Sequence, residues 1–123
     1  MTLDEINALQ TADELREFVR SYNWDDGFEV PCAVADHPQC DLGVALELFT
    51  LSDAMSIYLK EVESTSGKRD WIEFCEGLTY RILTGVYKPG LAQFHSELTA
   101  TQAYKLRKRG VPEVLISGAA ESM

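Results

Sequence analysis

Tyr22-Asn-Trp-Asp-Asp-Gly-Phe-Glu-Val-Pro31, followed after a short apolar segment by His37-Pro-Gln-Cys-Asp-Leu42, is the stretch on which the reading of this chain turns. It gathers aromatics, helix-starting acids, a glycine, two prolines, two cysteines and a histidine between runs of helical periodicity. Such residues stop one helix and start another, so the stretch reads as a join in an all-α chain. Upstream, Thr11-Ala-Asp-Glu14 has the form of a capping box. Leu15, Phe18, Val19 and Tyr22 then recur at 3.6-residue spacing, a helix ending near Asn23. A short helix over 3–10 precedes it. Inside the join, Asp25 or Asp26 is expected to cap the next helix, with Glu29 three residues after Asp26. Pro31 would then remove a backbone donor, so either the first turn is irregular or the helix starts nearer Glu29. Pro38 disfavours helix at His37 and closes the segment.

Downstream of the join, Asp41 is the expected cap of a helix from Leu42 to about Val62. Leu42, Ala45, Leu46 and Phe49 mark its buried stripe, and Met55, Tyr58, Leu59 and Val62 continue it past a bend at Ser52-Asp53. A loop is expected over 63–67. A further helix runs from Arg69 to about Val86 on Trp71, Cys75, Leu78 and Ile82, and a turn follows at 87–90. Thr99-Ala-Thr-Gln102 is a second capping box, opening a helix through Arg109. Its last turn carries Lys105, Arg107, Lys108 and Arg109, the sign that suits a helix C-terminus. Gly110 follows as its C′ residue, and Pro112 is expected at the first position of a short last helix. Nothing alternates with period two. The expected fold is all-α, five to six helices in a compact bundle or a short solenoid-like stack of helix pairs.

A chain of 123 residues and 13.8 kDa is expected to be one domain able to bury a core without metal or disulfide staples. Its N-terminus, MTLDEINALQ, is acidic and lacks the apolar core of a secretory signal. No run approaches the ~18–20 apolar residues of a membrane span. The three cysteines, Cys32, Cys40 and Cys75, lie within apolar patterns and fit reduced thiols in a cytoplasmic protein.

Net charge is −9, and it is unevenly spread. Residues 1–66 hold fourteen acids against three bases, a net of −11, while residues 67–123 hold six acids against eight bases, a net of +2. This balance repels nucleic acid and anionic membrane; solubility is its plainer reading, and an acidic face that steers a basic protein partner is the sharper one.

Several constellations invite chemistry. Cys32, His37 and Cys40 are soft ligands that His95 or Cys75 would complete. The spacing Cys-x4-His-x2-Cys departs from the Cys-x2-Cys pairs of structural zinc, and buried cysteine is the plainer reading. The same cysteines with His37 as base lack an oxyanion-hole pattern, and such pairs usually come from distant parts of a chain. Asn23, Asp25, Asp26 and Glu29 do not alternate as calcium-loop ligands do. The basic run at 105–109 is accounted for by the helix dipole. Neither metal, cofactor nor catalytic set is expected.

The residues Tyr22-Asn-Trp-Asp-Asp-Gly-Phe-Glu-Val-Pro31, His37-Pro-x-Cys-Asp-Leu-Gly43 and Ala45-Leu46 resemble the signature of a small bacterial family of unknown function. The resemblance covers about 12–85 and departs at Val44, where the family often has threonine. Its small acidic members look similar to immunity proteins that neutralise secreted toxins. That resemblance, with the acidic half, implies a non-enzymatic protein-binding module, an immunity protein for one basic toxin. Trp24, Asp25, Asp26, Glu29, Asp36 and Glu47 are the expected contact residues. The alternatives are a small enzyme or metal-dependent regulator using Cys32, His37 and Cys40, or a helical adaptor in a larger assembly. The join itself is expected to act as a structural keystone, with Trp24 and Phe28 packed beneath it and Asp26 and Asp41 capping helices.

Overall fold

A computed structural model of the chain describes residues 3–61, 69–88 and 98–118. Among these, eight α-helices and one short 3-10 turn form the fold, five of the helices are seven residues or longer, and there is no strand. No described helix is long and apolar enough to cross a membrane. The expected loop at 63–67, Pro89 and Gly90 of the expected turn, and His95 lie outside the described residues.

The helix α1 (Leu3–Asn7) contributes the buried Ile6 and leads into α2 (Ala12–Ser21). The Thr11 hydroxyl accepts the Glu14 amide at 3.1 Å, as the capping box requires, but the Glu14 carboxylate reaches past the cap to the Gln10 amide at 3.2 Å. Leu15, Phe18 and Val19 of α2 face inward. The Trp24–Asp26 turn follows, then α3 (Glu29–Ala35), α4 (Leu42–Leu51), α5 (Ala54–Tyr58) and α6 (Arg69–Leu83). A C-terminal pair, α7 (Ala100–Lys108) and α8 (Glu113–Ser117), closes the chain.

The hub is α4, against which α2, α3, α5 and α6 all pack. The sequence pattern gives it a single stripe. Every residue from Leu42 to Phe49 is buried instead, because its neighbours enclose it on all sides. The Asp41 carboxylate caps it, accepting the Val44 amide at 3.0 Å. The helix breaks at Asp53, whose φ of 57° is left-handed, and chain direction changes into α5. The break leaves the Ser52 carbonyl free of its helical partner, and the Trp71 indole donates to it at 2.6 Å from the first turn of α6.

The helices α1 and α6 each end three residues short of their expected bounds, and two helix starts differ from expectation for local reasons. Asp26 does not cap α3; Phe28 is the N-cap residue and makes no side-chain cap bond. Starting at Glu29 puts Pro31 in the first turn, where a missing amide costs no helical bond. Pro112 sits at the N-cap of α8, one place earlier than its expected position. At the other end of α7, Gly110 takes the left-handed φ of 84° expected of it, and the capping box of Thr99 and Gln102 is complete.

Beyond α6, Tyr87 and Lys88 return to the core. The buried Tyr87 hydroxyl donates to the Ala35 carbonyl at 2.9 Å, and the Leu42 amide donates to the Lys88 carbonyl at 2.9 Å.

Candidate functional site

The join between α2 and α4 is built on its aromatics. Tyr22 ends α2, and its hydroxyl donates to the Gly27 carbonyl at 2.7 Å, closing the loop that carries Trp24. Gly27 holds a φ of 96°, which side chains rarely tolerate, so the loop needs glycine here. Trp24 lies half-buried at the centre of a ring chain: Tyr22 meets its edge at 5.5 Å, Phe28 stands at 6.0 Å and Phe74 of α6 at 6.2 Å between centroids. Phe18 and Phe28 extend the chain at its ends. The expected anchors Trp24 and Phe28 thus pack partly beneath the join, met there by Phe74 from a distant part of the chain.

The acids of the join separate. Asp26 and Glu29 are exposed, and both raise the Tyr22 phenol, whose shift comes first from burial and then from their negative charges. Asp25 occupies the middle of the 3-10 turn. Asp36 stands at the far end of α3, exposed, with the Arg81 guanidinium donating to it at 2.6 Å. Glu47 lies apart from these, within the fold. Its carboxylate is buried in α4 and takes the Arg20 guanidinium at 2.7 Å, an ion pair that ties α2 to the hub. It stands on the inner side of the expected contact surface because α4 has no solvent face over 42–49.

Of the soft ligands, His37, Cys40 and Cys75 are buried and Cys32 is exposed. His37 is buried, and its Nδ1 accepts the Gln39 amide at 3.0 Å, which fixes the turn before Asp41. Among the described residues no three His, Cys, Asp or Glu side chains converge as metal ligands. Burial pushes the Cys40 thiol up to about 12 and the Cys75 thiol up to about 11. Cys32, more exposed, is also raised by partial covering, with Asp36 adding to the rise and Arg81 opposing it. None of the three has the lowered thiol pKa of an activated nucleophile.

Those thiols carry a pH prediction. Cys40 ionises near 9.0 when unfolded and near 12 when folded, so between these values the folded chain holds the extra proton. Stability conferred by the neutral thiol is complete below pH 9 and is lost as pH rises toward 12. Cys40→Ala should flatten the alkaline fall of the urea-unfolding midpoint. An unchanged alkaline limb would show that burial of this thiol is not what sets it.

Sequence reasoning missed a groove of about 610 Å³ bounded by residues 10–13, by the loop 38–41, and by Val86 and Lys88. Its volume is that of a small-ligand or side-chain pocket. The three segments are far apart in sequence, and no local pattern announces their meeting. The exposed Val86 was the one available signal, an apolar residue just past the end of α6.

No curated protein and no solved structure matches the chain. Residues 10–83, more than half of the chain and the part that holds the join and the hub, match the model of DUF4274, a domain of unknown function. The chain belongs to that family.

Proposed function

We propose that this chain is a non-enzymatic protein-binding module, an immunity protein that blocks one basic toxin by electrostatic steering and a small number of anchoring contacts. One observation carries the reading: the acid surplus of the first half is on the surface. Ten acids between residues 3 and 61 are exposed, while Arg16 and Arg20 in the same span are engaged with Asp13, Glu17 and Glu47. Surface charge of one sign speeds encounter with a partner of the other and does so in a salt-dependent way. The raised thiols support a binding role over nucleophilic chemistry. The resemblance of the signature to small acidic immunity-like proteins points the same way.

Within that surface, the exposed Asp26 and Glu29 follow the half-buried Trp24 within five residues, so charges suited to a rim stand near an aromatic suited to an anchor. Asp36 lies farther along α3. Co-expression with the product of the neighbouring gene tests the reading, and growth rescue from a basic toxin is the expected result. Asp26→Ala with Glu29→Ala should lower the association rate about tenfold at low salt and flatten its salt dependence. Rescue that survives both substitutions at unchanged rate would move the interface elsewhere. Failure of any adjacent product to be toxic or to bind would end the immunity reading.

A further inference from the structure

We infer that α7 is a docking surface for a second copy of this chain, which seats the acidic outer face of its α2 upon it. The inference starts from what α7 lacks. It is nine residues long, none of its side chains is fully buried, only Ala103 and Leu106 pack against the core, and its main neighbour is the five-residue α8. A helix of this length is marginal in water unless a tertiary surface covers one face. The other long helices, α2, α4 and α6, each bury three or more residues.

The uncovered face has a definite chemistry. Thr101, Tyr104, Lys105 and Lys108 fall at i, i+3, i+4 and i+7, and all are exposed, Tyr104 by 60%. The Lys108 ammonium lies 5.8 Å from the centre of the Tyr104 ring. The neighbouring arginines are committed within the chain: Arg107 donates twice to Glu113, at 2.7 and 3.0 Å, and Arg109 reaches Glu61 at 3.4 Å. Lys105 and Lys108 have no ion pair among the described residues. The face is therefore two uncommitted cations around an exposed aromatic.

Its complement is on the same molecule. Asp13, Glu14 and Glu17 are exposed on the first two turns of α2, again spaced by three and four residues. Arg20 stands 3.8 Å from Glu17 but gives its short bond to Glu47, and Arg16 is 3.9 Å from Asp13, so the stripe keeps its negative sign. The bases occupy the last two turns of α7 and the acids the first two of α2. Antiparallel docking therefore brings each stripe onto the other and also opposes the two helix dipoles. Tyr104 then lies at the centre of the contact, where an aromatic contributes most. The two faces are distinct, so a two-fold dimer forms the contact twice.

A second copy fits better than a polyanion. Two cations are few against a chain of net −9, and nucleic acid meets that repulsion along its whole length. Between two copies the repulsion of net charge is screened beyond about 10 Å at 0.1 M salt, whereas the docked stripes act within that distance. The inference is independent of the toxin reading, since it uses Asp13 and Glu17 in place of Asp26 and Glu29 and needs no partner protein.

Charge exchange tests it. Light scattering on the full chain should show a doubled mass at about 0.1 M salt and the single-chain mass at about 1 M. The variant carrying Lys105→Glu and Lys108→Glu, and the variant carrying Asp13→Lys and Glu17→Lys, should each remain single at both salts. An equimolar mixture of the two should regain the doubled mass, because each reversed stripe now meets its complement. Helical circular dichroism equal to that of the parent chain confirms that each variant is folded, and Lys105→Ala with Lys108→Ala serves in place of a reversal that fails this check. A parent chain that stays single at about 0.1 M, or a folded mixture that does not associate, overturns the inference. So does a parent that is single but retains a labelled oligonucleotide which the Lys-to-Glu variant releases, since that assigns the face to nucleic acid.

Discussion

Trp24→Ala is expected to lower the unfolding free energy by about 3 kcal/mol and the thermal midpoint by about 10 °C. The indole is only half-buried, which places the loss at the lower end of the range for a large aromatic. Its removal, however, unties three ring contacts at once, to Tyr22, Phe28 and Phe74. The first two fix the path from α2 into α3, and the third holds that path against α6. Asp26→Ala, on the exposed side of the same turn, should change stability by no more than about 0.5 kcal/mol, because Asp26 caps nothing. Paired thermal melts distinguish the two roles. Should Trp24→Ala melt like the parent and yet fail to bind a partner, the stretch would be interface and not scaffold.

Leu46→Ala should cost about 3–4 kcal/mol. Leu46 is 1% exposed, and it sits in the middle of a helix that other helices surround. Packing by several helices limits collapse into the space a leucine leaves, so a cavity term adds to the lost transfer energy. Leu51→Ala, at the end of the same helix and 41% exposed, should cost about 1 kcal/mol or less. Urea midpoints for the two would show whether α4 is the hub. A Leu46→Ala loss as small as that of Leu51→Ala would mean that the enclosure is loose.

Features decided by neighbours along the chain are legible in the sequence. The caps at Thr11, Asp41 and Thr99 form because a short oxygen side chain stands two or three residues before unpaired amides. Gly110 ends α7 because it alone tolerates that backbone, and the bend at Ser52-Asp53 is local too. Features decided by distant partners are not legible in this way. Glu47 has the spacing of a surface acid on a striped helix, and its burial follows from the helices that enclose α4 and from its Arg20 partner, 27 residues away. Phe74 reads as the widening of a helix face, whereas it forms the far wall of the Trp24 cluster. The cap expected of Asp26 does not form because the glycine at 27 and the proline at 31 together move the helix start to Glu29. Of the expected contact residues, Asp26, Glu29 and Asp36 have the exposure that a contact surface requires, and Glu47 does not.

The match to the family ends at residue 83, but the physical unit does not. Tyr87 and Lys88 act as a clasp from outside that boundary: one closes the carbonyl at the end of α3, the other the amide at the start of α4. A piece excised at 83 would leave both groups to water and open the buried site that the Tyr87 ring fills. The packed unit therefore extends past the family match to residue 88, and the buried Val111, Leu115 and Ile116 carry the same core further still. Inheritance and folding draw the edge of this domain in different places.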